Sequence, residues 1–292
     1  MQKSNLWKKI FKNFRNVDES FLKNFRMNNN ENSRMTCWSP SENSSRWFKF
    51  FIYNHLKNKD EKFFELFSNL KNINLGNPTS IKFNNIEVNI DYLLGIEEFT
   101  FILDNLNKLE YSSIIEIGAG FGRTAHTFLQ LSNNIKEYII IDLPEMIVLS
   151  KKYLESVLDK EDFKKIIFYE VGENIEKIYS DLVININSFQ EMNDPVIDQY
   201  YENVISNSKY LYLRNAICKY SPSIFDINNS ITPDVFSLGR CQNILNELSD
   251  SEISFEVENY KMLYLPKNGN WEVFKEKDDL FPYYYNVLYK KL

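Results

Sequence analysis

Apolar positions along this chain follow two rhythms, and the change between them falls near residue 110. Before it, aromatic-rich stretches at helical spacing, notably Trp47 to Leu70, alternate with polar loops such as Asn28 to Ser33 and Ser39 to Ser45, which reads as mostly helical. Pro78 and the alternating Ile81, Phe83, Ile86, Val88 and Ile90 about Asn84-Asn85 predict a small hairpin. A helix from about Asp91 to Leu109 follows. From Tyr111 onward short β-rich runs alternate with helical ones. Strands are expected at Ile114 to Ile117, Tyr138 to Ile141, Lys165 to Tyr169, Leu182 to Ile186, Tyr210 to Leu213, Phe255 to Leu265 and Tyr285 to Tyr289. Helices are expected at Thr124 to Leu131, Glu145 to Leu158 and Pro195 to Ser206. Alternation of this kind predicts a Rossmann-like α/β fold, a doubly wound and mostly parallel sheet closed by an antiparallel final pair. The chain divides on this reading into a mainly helical cap with a small hairpin (1–105) and a catalytic domain (106–292). A polar insertion at about 218–250, with Pro222 and Pro233, is placed as a substrate-side lid.

Composition narrows the class of protein. At 292 residues with 43% hydrophobic and 15% aromatic content, the chain can bury a substantial core. A formal net charge of -6 argues against a general electrostatic grip on nucleic acid. Cys37, Cys218 and Cys241 are widely separated and lack C-x-x-C spacing, so neither a disulfide framework nor a zinc site is suggested. No apolar run reaches the roughly 20 residues that span a bilayer, and no secretory signal core is visible, which places the protein in the cytoplasm. Leu6, Trp7, Ile10, Phe11 and Phe14 lie at helical spacing among Lys3, Lys8, Lys9, Lys12 and Arg15. Such a helix over residues 1–16 either docks on its own catalytic domain or on a twin subunit in a homodimer, or lies on an anionic membrane at its inner face.

The candidate chemistry begins where the first strand of the second half ends. Ile114 to Ile117 delivers Gly118, Ala119, Gly120, Phe121 and Gly122 into the start of a helix. A dinucleotide loop reads G-x-G-x-x-G, but Arg123 stands where its third glycine would fall, and the glycines follow G-x-G-x-G with Glu116 inside the strand. A dehydrogenase using NAD is thereby disfavoured. The second strand ends at Asp142-Leu143-Pro144, 20 positions beyond Gly122, where a carboxylate can accept hydrogen bonds from vicinal ribose hydroxyls or act as a helix N-cap. The third ends near Gly172 and Glu173, where a carboxylate can receive an adenine amino group. The fourth strand carries Asn185 and Asn187 in its apolar run and terminates in Ser188, Gln190 and Glu191. Ligands in open α/β sheets bind beyond the carboxyl ends of the strands, so these polar groups should face cofactor and substrate.

The motif Glu116 to Gly122 resembles the first motif of class I S-adenosylmethionine (SAM) methyltransferases. Together with Asp142-Leu-Pro-Glu145, Tyr153-Leu154 and Asn187-Ser-Phe-Gln-Glu-Met192, residues 110–216 resemble the sugar O-methyltransferase family of bacterial surface-polysaccharide biosynthesis. The resemblance implies SAM as cofactor, with S-adenosylhomocysteine as product and no metal. It implies that Glu116, the loop backbone at Gly118, Ala119, Gly120 and Gly122, Asp142, Leu143, Gly172, Glu173, Asn187 and Ser188 hold the cofactor. The acceptor implied is a hydroxyl of a sugar or nucleotide-linked sugar. A phosphorylated or phosphoramidate acceptor, or a non-catalytic SAM-fold partner of a glycan-synthesis complex, are the alternatives. Many small-molecule O-methyltransferases place a histidine base just after the fourth strand. Gln190 occupies that place here and cannot take a proton, so Glu191 is the candidate base and Gln190 the residue that orients the acceptor. Asp181, or no protein base at all, are the other possibilities. His55 and His126, the only histidines, read as structural. Arg214, Asn215 and Arg240 are candidate contacts to phosphate or sugar hydroxyls at the substrate mouth.

Overall fold

The computed structural model describes Lys8 and residues 17–26, 42–106, 111–171, 177–220 and 237–292. The amphipathic helix expected at residues 1–16, Cys37, and Gly172 with Glu173 lie outside the described residues, apart from Lys8.

Three helices come first: α1 (Glu19–Asn24), α2 (Glu42–Leu56) and α3 (Glu61–Asn69). The carboxylates of Asp18 and Asp60 cap α1 and α3 by accepting the Phe21 and Phe63 amides. The expected hairpin is β1 (Ser80–Phe83) and β2 (Ile86–Asn89). Asn84 and Asn85 both adopt positive φ, 46° and 64°, as a two-residue hairpin turn requires. Asn89 then caps α4 (Ile90–Asn105), which is buried along most of its length. Its two buried carboxylates, Asp91 and Glu98, are paired with Arg26 and Arg123, which lets the helix lie between layers. Ile90 to Ile96 face the helices before it, with Phe48, Ile52, Phe63 and Phe67, whereas Phe99 and Ile102 join the core of the main sheet.

That sheet has the elements β3 (Ser113–Ile117), α5 (Arg123–Leu131), β4 (Glu137–Asp142), α6 (Pro144–Val157), α7 (Lys160–Phe163), β5 (Ile166–Glu170), β6 (Ser180–Ile186), α8 (Asp194–Asn203) and β7 (Ser208–Ala216). After the short pair β8 (Lys219–Tyr220) and β9 (Ile244–Leu245) come α9 (Asp250–Tyr264), β10 (Trp271–Asp278) and β11 (Tyr284–Lys291). The strand order is β10-β11-β7-β6-β3-β4-β5. The five strands from β7 to β5 run parallel, and β11 and β10 close the sheet antiparallel. This is the Rossmann-like α/β architecture expected from the alternating runs. Ile114, Ile140, Leu182, Ile184 and Tyr212 point to one core. Ile115, Ile139, Ile141, Val183 and Leu213, at alternate positions of the same strands, point to the other. Burial on both faces explains the near-continuous apolar runs in the sequence.

One expected strand is wrong. Phe255 to Tyr264 is the last two-thirds of α9, with Leu265 as its C-cap, and the edge strand is β10 instead. The helix is set by a cap, Ser249 Oγ accepting the Glu252 amide, and it buries Glu256, Tyr260 and Tyr264 at a spacing of four while Phe255 is left 65% exposed. Strand β10 is an edge strand carrying Glu272, Lys275, Glu276, Lys277 and Asp278, so its apolar alternation is faint. Among the described residues no helix is long and apolar enough to cross a membrane.

Candidate active site

The glycine loop lies at the carboxyl end of β3, between β4 and β6, and all three of its glycines adopt positive φ. Their surroundings differ. A Cβ on Gly118 would fall 2.0 Å from Ser188 Oγ, and one on Gly122 would fall 2.7 Å from Leu154, whereas a Cβ on Gly120 would meet nothing within 4 Å. Two glycines therefore admit neighbouring protein, and the third leaves bare backbone facing open space, where a ligand can approach. Gly122 is the N-cap of α5 and provides no side-chain acceptor, so the positive end of that helix starts without one.

Asp142 ends the neighbouring strand. Its carboxylate accepts the Gly120 amide at 3.0 Å and the Leu143 amide at 2.7 Å. Burial pushes its pKa up to about 7, further than those amides pull it down. Glu116 lies in β3 two residues before Gly118, 2% exposed, and accepts the Tyr138 hydroxyl at 2.8 Å. Burial likewise carries its pKa up to about 7. Arg123, which replaces a dinucleotide-type glycine, turns inward to Glu98 at 2.6 Å and 3.3 Å.

The turn after β6 is knitted by amides. Asn185 donates to the Ile117 carbonyl at 2.9 Å and accepts from Phe189 N at 3.1 Å and Asn215 Nδ2 at 3.0 Å. Asn187 takes positive φ, donates its amide to the Arg214 carbonyl at 2.7 Å and accepts from Arg214 Nη1 at 3.0 Å. Gln190 Oε1 accepts the Ala216 amide at 2.8 Å, which leaves its NH2 as the donor end. Glu191 is half-buried in the same turn. The described end of the insertion crosses directly over it: Gly239 N donates to Met192 O at 2.7 Å, and a Cβ on Gly239 would lie 2.9 Å from Gln190 Cα.

The three candidate substrate contacts are held by partners within the chain. Arg214, 1% exposed, makes a two-pronged pair with Asp279 at 2.6 Å and 2.9 Å and lies over the Tyr284 ring. Asn215 bonds Asn185 and Gln190. Arg240 pairs with Asp194 at 2.9 Å and with Asp198, over the Tyr201 ring at 4.4 Å. His55 faces Glu97 at 2.5 Å. His126 is buried against the Tyr92 hydroxyl, and burial lowers its pKa to about 3. Asp181 binds the Ser112 and Ser113 amides at the opposite end of its strand from Gln190 and Glu191.

Several neighbours of the site were not anticipated. Glu98 and Asp279 neutralise Arg123 and Arg214. Lys219, 6% exposed, donates to Leu238 O at 2.6 Å, and the Glu191 carboxylate is among the charges acting on it. Phe121 carries the loop's one large side chain. None of these follows a local spacing rule, although a lone phenylalanine among glycines is itself a signal.

No protein-family model and no curated protein matches the chain. Among solved structures it is similar to the mitomycin 7-O-methyltransferase MmcR, at 10% identity and a TM-score of 0.40, over 69% of this chain and 57% of that one. It is also similar to a SAM-dependent methyltransferase from Aquifex aeolicus, at 14% identity and a TM-score of 0.41, over 67% and 90% of the two chains. Human N-acetylserotonin methyltransferase in complex with SAM is similar at 13% identity and a TM-score of 0.42, over 69% and 54%. Identities and scores of this size describe a related chain path and transfer no activity.

Proposed function

We propose that the protein is a SAM-dependent O-methyltransferase whose acceptor is a hydroxyl of a sugar or sugar nucleotide. The observation that carries the cofactor half is the bare backbone of Gly120 beside the Asp142 carboxylate. On this reading the ribose hydroxyls donate to Asp142, and the uncapped start of α5 receives the carboxylate of the methionine part. Leu143 lies next to Asp142, and Ser188 borders the loop at Gly118, while Asn187 beside it is held by Arg214. Bound SAM would supply an electrophilic methyl group on sulfonium sulfur.

The chain's own contribution to transfer is placement and proton removal. Gln190, its amide plane fixed by Ala216 N–H, donates to the acceptor oxygen. The Glu191 carboxylate would accept the hydroxyl proton as the acceptor oxygen takes the methyl from sulfur, the electron pair of the broken carbon–sulfur bond staying on sulfur. The sugar acceptor rests on the resemblance of the Ser188 to Met192 string.

Incubation with SAM and a panel of nucleotide sugars tests it: one acceptor should gain the mass of one methyl in place of hydrogen. The Glu191→Gln variant should bind SAM as the wild type does and lose about 10²- to 10⁴-fold in turnover. Wild-type turnover in that variant would remove Glu191 as the base. SAM binding without methylation of any sugar in the panel would count against the sugar reading.

A further inference from the structure

The loop from Gly118 to Gly122 contains three glycines with positive φ, Ala119 and a single large side chain, Phe121. Glycine backbone loses the most freedom on ordering, so something outside the loop must fix it. Phe121 is 3% exposed, and its socket is built largely from residues far away in sequence. The Phe25 ring meets it edge-on with centroids 5.6 Å apart. The Arg26 guanidinium lies over it at 5.0 Å. Tyr153 of α6 closes the other side at 4.9 Å. Arg26 is in turn fixed by Asp91 at 2.7 Å and 3.1 Å and by the carbonyls of Ile73 and Leu75, both at 2.9 Å.

The same segment also grips α6, the helix that leads away from Asp142. Phe25 packs on Tyr153 with centroids 6.0 Å apart, and Lys152 Nζ donates to the Val17 carbonyl. Residues 17–26 thus touch both the glycine loop, through Phe121, and the helix that follows Asp142, through Tyr153 and Lys152.

We propose that residues 17–26 are a strap that completes the cofactor site from behind, with Phe25 and Arg26 as positioning residues of the glycine loop. The inference rests on the SAM reading above. If ordering the loop and docking the strap are one event, SAM binding and strap docking stabilise each other by the same factor.

Calorimetry on the full chain tests this with SAM as the probe. Phe25→Leu should weaken SAM by roughly tenfold. Phe67→Leu, in the core of the preceding helices, should lower the melting temperature without changing SAM affinity. In the wild type, SAM should slow hydrogen exchange across residues 17–26. Unchanged affinity in Phe25→Leu overturns the strap even if that variant is less stable. Should Phe25→Leu fail to fold, exchange at residues 17–26 that is indifferent to SAM overturns it. A wild type that binds no SAM withdraws the cofactor reading itself, and the strap with it.

Discussion

At the scale of single residues, Asp142 makes the sharpest demand. An acid whose pKa is about 7 when folded, against about 4 unfolded, favours the folded chain while it is protonated. That contribution fades as pH rises from about 4 towards 7. Hydroxyl donors to Asp142 act in the opposite sense, because they stabilise the ionised form. SAM affinity should therefore fall by up to about tenfold per pH unit below 7, with a proton released on binding, as calorimetry in buffers of different ionisation enthalpy would detect. Gly118→Ala should abolish binding or folding, since its Cβ would fall 2.0 Å from Ser188 Oγ and 2.4 Å from Ser188 Cβ at a positive φ. Gly118, Gly122 and Asp142 were legible in the sequence because turn geometry and the strand end dictate them locally. Glu98 and Asp279 were not, because the pairs they form with Arg123 and Arg214 depend on how distant elements pack. Arg214, Asn215 and Arg240 show the converse. Their residue types suit a substrate mouth, but their polar atoms meet partners that only the folded chain brings near.

Elements buried on both faces were the easiest to read. The four inner parallel strands, β7, β6, β3 and β4, announce themselves as apolar runs, and Asn84-Asn85 announces the hairpin between β1 and β2. Helix α9 was missed because apolar residues at Phe255, Val257 and Leu263 mimic alternation, while its interior face is made of Glu256, Tyr260 and Tyr264. The cap at Ser249 and Glu252 was the overlooked signal. Ser249→Ala should destabilise the protein by about 1 kcal/mol in thermal unfolding. Where α4 crosses α5, a Cβ on Gly95 would lie 2.9 Å from Thr127 Oγ1 and 3.1 Å from Arg123 Nη1. A larger residue there should push the two helices apart and disturb the Arg123–Glu98 pair. Gly95→Val is expected to lower the melting temperature and weaken SAM together.

Across the whole molecule, buried ion pairs join parts of the chain that are remote in sequence. Arg26–Asp91, Arg123–Glu98 and Arg214–Asp279 connect the strap, α4, the helix after the glycine loop, β7 and the turn before β11. Breaking a buried pair by removing one partner costs about 3–5 kcal/mol, and Asp279→Ala, which leaves Arg214 the longer 3.6 Å contact to Glu98, should fall at the low end of that range in denaturant unfolding. The same connectivity makes the helices before residue 106 part of the site's support. Gly120 and Asp142 together are proposed to hold SAM. Titration calorimetry of SAM into the wild type and Asp142→Asn tests this role most directly. One-site binding is expected in the wild type, with a loss of at least tenfold in the variant, roughly 1.4 kcal/mol. Equal affinity in the two proteins, or tight NADH binding in place of SAM, would contradict it.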